Sequence, residues 1–350
     1  MSRLLFSFVT GATLQCLTLA AVSAQVAFLD TDVFTAHDTI AAPADDVLDA
    51  QQCVEGLVWA PAEFEVRCQP PLPFPGDALV TFPSAIPSGD ANNDRVAMEW
   101  YLVRDTEERP LRRPAVVVVH ESGSKMTAGH IFARSFQAAG VHAFMIHLPY
   151  YGARRDPDKR PHKTKVVRAM RQAIADVRRA RDAVAALPFV QTPHVSLQGT
   201  SLGGFVSATT ASLDSGYAGQ GFENVFLMLA GGNLVDVIQN GKKDAAGFRR
   251  SLEQSGLTME QVEALMNQVE PLRIAHRLNP QRTWLYSAMY DQVVDIKNAE
   301  ALAKRIPLSA QHHVRMQANH YSGVVYIPLV LSQMVAAINE AAEGPAAAQP

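Results

Sequence analysis

Four consecutive valines, Val116 to Val119, stand in the stretch "RRPAVVVVHESGS" with no polar residue among them. A run so short and continuous suits a central parallel strand covered by helices on both faces. The same kind of run recurs. "VHAFMIHLPYYG" reads as a second buried strand leading into an abrupt loop, and "HVSLQG" and "NVFLMLAGG" as further strands, with "TWLYSAM" and "HHVRMQA" later in the chain. Helical segments separate them. "TAGHIFARSFQAAG" ends at Gly140. Residues 164–187 place Val166, Met170, Ile174, Val177, Val184 and Leu187 at helical spacing, with arginines between them. "GGFVSATTASL" forms the next helix, and "PLVLSQMVAAINEAAE" closes the pattern with Pro328 in its first turn. Strand, helix, strand, helix in succession predicts an α/β fold with a mostly parallel central sheet and helices on both faces.

Upstream, residues 78–83 and 94–104 are dense enough in branched and aromatic residues to be strands, joined through a turn in "SGDANND". Residues 25–75 are rich in Ala, Asp and Pro and are expected to form an irregular N-terminal extension to the main domain, 76–340. Residues 232–280 break the alternation with polar, mostly helical sequence, and Thr258 with Gln261 forms a capping-box pattern. This insertion could cap an active site or lie at the periphery; the letters leave both open. The tail, 341–350, is expected to be disordered.

The first 24 residues carry one early positive charge, Arg3, then an apolar run closing on Val22, Ser23 and Ala24, which reads as a signal peptide cleaved after Ala24. The alternative is an uncleaved membrane anchor. A lipoprotein is disfavoured because Leu14 and Gln15, not a small residue, precede Cys16. No stretch after the signal reads as a membrane span. The expected location is therefore secreted or periplasmic. Two cysteines follow the signal, Cys53 and Cys68, and in an oxidising compartment a disulfide between them is expected; the alternative is two buried thiols.

The residues that carry chemistry begin with "HVSLQGTSLGGF". Ser201 stands directly after a predicted strand and before a predicted helix, which is the setting of a nucleophile elbow. Gly199, Gly203 and Gly204 suit a turn in which backbones approach closely. A serine hydroxyl needs a base. His320, in "ANHYSG", follows a late strand and so hangs at the carboxyl edge of the sheet. His312, His313 and His194 start strands and fall at the opposite edge. His120 and His147 end strands on the correct side and are rivals, although they precede the serine in the chain. The base needs an orienting carboxylate. Asp291, just past "TWLYSAM", is the first choice and Asp295 the alternative.

The order Ser201, Asp291, His320, with "VVVVHESG", "GTSLGG", "YDQVVD" and "NHY" in register, resembles the α/β-hydrolase superfamily over roughly residues 76–340. Within it the chain looks most similar to exported dienelactone-hydrolase and acetyl-xylan-esterase-like enzymes. The resemblance implies Ser201 as nucleophile, Asp291 as acid and His320 as base. The departure is "HESGS", where many members have glycine after the histidine. An oxyanion hole needs two backbone N–H groups, one from Leu202 and one from either Glu121 or Ser122. The Glu121 carboxylate would oppose an oxyanion and is expected to turn away, toward Arg154 or Arg155.

Residues 154–181 hold eleven of the thirty-one Lys and Arg. Several form the solvated face of the 164–187 helix, and with a net charge of −3 no nucleic-acid partner is expected. Arg154 and Arg155, following Tyr151 in "HLPYYGARR", could bind substrate together with Tyr151 and His120, or serve a structural role. No metal-ligand spacing or dinucleotide fingerprint accompanies the site, so no metal and no cofactor is expected. The expected activity is hydrolysis of a small-molecule or carbohydrate ester. The alternatives are a serine peptidase or amidase of the same fold, or a non-catalytic binding protein that retains it.

Overall fold

A computed structural model of the chain describes residues 32–343 apart from 42, 157–165, 214–220 and 255. The predicted signal peptide and residues 344–350 lie outside the described residues. One sheet of ten strands runs through the described part, in the order β1-β2-β3-β4-β6-β5-β7-β8-β9-β10. The strands are β1 (Asp32–His37), β2 (Glu63–Gln69), β3 (Ala78–Pro83), β4 (Arg95–Tyr101), β5 (Arg113–Val119), β6 (His142–Ile146), β7 (Val190–Thr200), β8 (Val225–Met228), β9 (Thr283–Ala288) and β10 (His313–Met316). From β1 through to the β4–β6 pair the strands are antiparallel; from β6 to β10 they are parallel.

The valine run explains the layers. Along β5, Val117 and Val119 enter one core and Val116 and Val118 the other, all at 0% exposure. Successive strand side chains face opposite ways, so both faces must be covered. The helices are α1 (Leu48–Glu55), α2 (Ala91–Asp94), α3 (Thr127–Ala138), α4 (Val166–Ala185), α5 (Leu202–Ala211), α6 (Leu234–Asn240), α7 (Asp244–Glu253), α8 (Met259–Asn267), α9 (Pro271–Ile274), α10 (Ile296–Arg305) and α11 (Ile327–Glu343). Ile174 and Val177 of α4 and Val206 of α5 pack into the first core. Phe132 and Phe136 of α3, with Met334 and Ile338 of α11, pack into the second. Ser322–Glu343 is long and apolar enough to cross a membrane by length and composition. Here its helix buries Val330, Met334 and Ile338 against the sheet.

The N-terminal extension differs from expectation. It is not irregular: β1, α1 and β2 carry it, and β1 and β2 lengthen the sheet. The signal is visible in "EFEVRCQ", whose burial alternates with period two along β2. Ala- and Pro-rich flanks mask it. This segment is tied to the main domain by charge. Asp38 takes two hydrogen bonds from Arg179, at 2.9 and 2.5 Å. Thr39 donates its N–H and hydroxyl to Asp182, and Asp45 pairs with Arg277 at 2.9 Å and His276 at 3.0 Å.

The expected disulfide is also corrected. Cys53 and Cys68 are both free and buried. They sit on different elements: the Cys53 sulfur, on α1, faces the Gln268 carbonyl at 4.0 Å, while Cys68 lies within β2, paired across the sheet with Asp32 and Val80. Burial pushes the Cys53 thiol up to about 11 and the Cys68 thiol up to about 12. A thiolate is the reactive form, so at pH 8 neither side chain should react with iodoacetamide in the native protein, and both should react after denaturation. Peptide mapping checks this. A disulfide-linked Cys53–Cys68 peptide pair would overturn it.

The tail expected to be disordered from residue 341 is helical over 341–343, since α11 runs to Glu343, and the rest of it lies outside the described residues. The insertion is helical, as expected: α6 to α9 occupy it, and Thr258 and Gln261 form the capping box at the start of α8.

Candidate active site

Strand β7 ends at Thr200 and helix α5 begins at Leu202, so Ser201 alone makes the turn. Its backbone is at φ 52°, ψ −115°, a conformation costing on the order of 1–3 kcal/mol for a residue with a Cβ. Its N–H donates to the Met228 carbonyl at 2.8 Å, and its carbonyl accepts from Gly204 and Phe205. Glycine is required nearby for close approach. A Cβ on Gly203 would meet the carbonyl oxygens of Val119 and His120, and one on Gly199 would meet the Gly203 carbonyl and the Ser207 hydroxyl. The elbow therefore rests directly on the end of β5, which brings the "HESGS" loop beside the serine.

Two other parallel strands deliver the remaining groups to the same edge. The loop after β10 carries His320, and the loop after β9 carries Asp291. The Ser201 hydroxyl stands 2.9 Å from His320 Nε2, and His320 Nδ1 stands 2.7 Å from Asp291 Oδ2. The other carboxylate oxygen of Asp291 accepts the N–H groups of Val293 and Val294, at 2.7 and 3.0 Å, which fixes its orientation. All three residues are 9% exposed. With Nδ1–H donated to a carboxylate, Nε2 is left to accept the serine proton.

The rival residues are occupied elsewhere. Asp295 caps α10 through the Lys297 N–H. His120 is fully buried. Its Nδ1 donates to the Glu121 carbonyl at 2.6 Å and its Nε2 accepts the Leu148 N–H at 3.1 Å, and burial pushes its pKa down to about 3. His147 is bonded to Glu99 and to the Ala153 N–H. His312 bonds the Thr283 carbonyl at the amino end of β9, and His313, the first residue of β10, bonds the Ser287 hydroxyl of the neighbouring strand.

The Glu121 carboxylate does turn away from the serine, but not toward arginine. It accepts the N–H groups of Ala128 and Gly129, at 3.0 and 3.1 Å, in the first turn of α3. A helix N-terminus offers unpaired donors and a positive dipole end, so a carboxylate is at home there. The loop is thereby pinned to α3. The backbone N–H groups of Leu202, Glu121 and Ser122 find no acceptor among the described residues.

The expected substrate-binding group is corrected. Arg154 is buried and donates to the Asn93 carbonyl, the His147 carbonyl and Asp176, the last at 2.7 Å. Arg155 is exposed and does not line the cleft at the serine. Tyr151 packs edge-on against His120, with ring centroids 4.8 Å apart, behind the loop. Neither Tyr151 nor His120 reaches the cleft.

The cleft itself has a volume of about 340 Å³. Glu121, Ser122, Ser201 and His320 line it, with Ala128, Ile131 and Phe132 from α3, Met228 and Leu229 from the end of β8, Val324 from the 3-10 turn Ser322–Tyr326 and Ile327 from the start of α11. Sequence reasoning missed Asp244 and Tyr321. Asp244, from the insertion, lines the cleft and accepts the Tyr321 hydroxyl at 3.1 Å; Lys243 Nζ lies 4.6 Å from the centre of the Tyr321 ring. Tyr321 adjoins His320 in "NHY" and was available as a signal; nothing in the letters around Asp244 points to the site. Thus the insertion touches the rim through Asp244, while α8 and α9 pack away from it, α9 against α1, α5 and α10.

The sheet order, the serine elbow and the positions of the two partner loops are those of the α/β-hydrolase fold, which this chain adopts. No protein-family model matches the chain, and no curated protein matches it. Solved structures do. An acetyl xylan esterase from a Paenibacillus species aligns with a TM-score of 0.58 at 14% identity, over 85% of this chain and 96% of its own. Acetyl xylan esterase 1 from a Thermoanaerobacterium species aligns with a TM-score of 0.58 at 12% identity, again over 85% and 96%. The α/β-hydrolase GrgF from a Penicillium species aligns with a TM-score of 0.54 at 13% identity, over 76% of this chain and 99% of its own.

Proposed function

We propose that the chain is an exported serine hydrolase of carboxylic esters, acting through Ser201, His320 and Asp291. The observation that carries this reading is the unbroken hydrogen-bond line from the Ser201 hydroxyl through His320 to Asp291 at the base of a cleft. The free N–H groups of Leu202 and of the Glu121–Ser122 loop beside it support the reading. Export rests on the first 24 residues of the sequence.

The Ser201 oxygen attacks the ester carbonyl carbon as His320 Nε2 takes its proton. The negative charge on the carbonyl oxygen is met by the N–H of Leu202 and by one from the loop, Glu121 or Ser122. The carbon–oxygen bond to the alcohol breaks, and the imidazolium returns its proton to that oxygen. A water then gives a proton to His320 and attacks the acyl-enzyme. Collapse of the second intermediate frees the acid and restores the serine hydroxyl. Asp291 holds the imidazole in the tautomer that both halves need. The Glu121 carboxylate acts by position: fixed on α3, it keeps its charge off the oxyanion site and keeps the loop in place. The test is labelling with a fluorophosphonate, which reacts with an activated serine. One adduct on the Ser201 peptide is expected, and an adduct on another serine, or none, would overturn the assignment.

A further inference from the structure

We infer that the cleft takes an ester with an apolar acyl group of about six to eight carbons rather than an acetyl group. This rests on the serine-esterase reading of the same site and deepens it. The first observation is size. A cavity of about 150 Å³ holds a benzene ring, and this cleft is about 340 Å³, more than an acetyl group can fill. An acetyl ester would leave most of that wall facing water.

The second observation is the chemistry of the wall. Ile131, Phe132, Met228, Leu229, Val324 and Ile327 line it together. Ile131 is 36% exposed and Val324 44% exposed, so apolar surface there is still available for a ligand to cover. Of the two acidic lining residues, Glu121 has its carboxylate bound on α3 and Asp244 has its own at the Tyr321 hydroxyl, and no lysine or arginine is among the described lining residues. That disfavours an anionic acyl part. The burial of Arg154 removes the arginine that sequence offered for recognising one.

The third observation fixes which half of the ester uses the wall. His320 must return its proton to the leaving oxygen, so the alcohol lies toward His320. The Tyr321 hydroxyl and Asp244 give that side a polar edge. The acyl chain takes the remaining direction, along the apolar wall.

Burying one methylene changes an equilibrium by roughly three- to fourfold, and a chain longer by four methylenes leaves room for incomplete burial. The experiment measures kcat/KM for p-nitrophenyl esters from acetate to decanoate, together with fluorophosphonate labelling of Ser201. A maximum at hexanoate or octanoate is expected, at least tenfold above acetate. In Ile131→Asp and, separately, Val324→Asp, the octanoate-to-acetate ratio is expected to fall at least tenfold; both side chains are partly exposed, and circular dichroism checks that each variant is folded. Acetate as the best substrate, or an unchanged ratio in both folded variants, would overturn the inference while a labelled Ser201 left the esterase reading standing. Absence of both labelling and hydrolysis across the series would overturn the esterase reading and the inference with it.

Discussion

Replacing Ser201 by alanine is expected to lower kcat for aryl esters by about 10⁵-fold or more, with no change in the folded state. The magnitude follows from how such groups act. Serine, base and orienting carboxylate work as one unit, and removing either the nucleophile or the base in a comparable site costs on the order of 10⁶. His320→Ala should therefore fall to about the same level, and the double variant should fall little further. Asp291→Asn is expected to cost less than either, about 10⁴-fold, because the serine and imidazole remain in reach while the wrong tautomer is favoured. Asp291 has a second duty, since its other oxygen holds the Val293 and Val294 N–H groups, and asparagine keeps an acceptor for them. Single-turnover kinetics with an aryl ester measures all four. Additive losses in the double variant, or a Ser201→Ala variant with more than a hundredth of the original kcat, would overturn the triad.

The second large effect is expected on stability. Arg154 and Asp176 form an ion pair whose side chains are both at 0% exposure. Asp176 also accepts the Ser84 hydroxyl at 2.6 Å and the Ala85 N–H at 3.1 Å, so both of its oxygens are used. Removing one partner of such a pair leaves a charge in a medium that cannot solvate it, at a cost of about 3–5 kcal/mol. Arg154→Met should lose that much in chemical denaturation. Replacing both, Arg154→Met with Asp176→Leu, should recover a large part of it, because the penalty lies in the orphaned charge rather than in the lost attraction. A variant within about 1 kcal/mol of the original, at the limit of what an exposed pair is worth, would contradict the buried role.

Arg154 also shows where sequence reading stops. The loop "HLPYYGARR" follows β6 at the carboxyl edge of the sheet, and two arginines there invite a reading as anion binders. Whether an arginine points outward or inward depends on what lies beneath it, here Asp176 on α4 and the carbonyl of Asn93 on α2, partners 22 and 61 residues away. No local pattern encodes that. The strand–helix alternation from Arg113 to Glu343 is different. It is periodic, and each of its elements is set by its own neighbours, so the valine run, the elbow and the loops bearing Asp291 and His320 could be located from letters alone. The cysteines fall between these cases. Their spacing allowed a bridge, but pairing is decided by which elements they join, and α1 and β2 carry their sulfurs to separate places. Asp244 was invisible for the same reason as the Arg154 partner: a single residue reaching the cleft from an insertion has no period.

Composition sets residues 25–75 apart from the main domain, and the ties across that boundary, seen from residue 32 onward, make it a poor place to cut. Asp38 and Arg179 are 0% and 7% exposed at their side chains, and Asp45 and Arg277 are 7% and 6% exposed. Trimming the chain to begin at residue 76 would strip the counter-charges from Arg179 and Arg277 and bare the long side of β3 in one step, turning an inner strand into an open edge able to pair with other chains. What composition suggests is an appendage is structurally a flank of the fold, joined to it by the sheet and by buried ion pairs. A chain starting at residue 76 is expected to collect in the insoluble fraction, whereas one ending at Glu343 should stay soluble. Recovery of the shortened chain as a soluble, monomeric, active protein would show that the flank is separable after all.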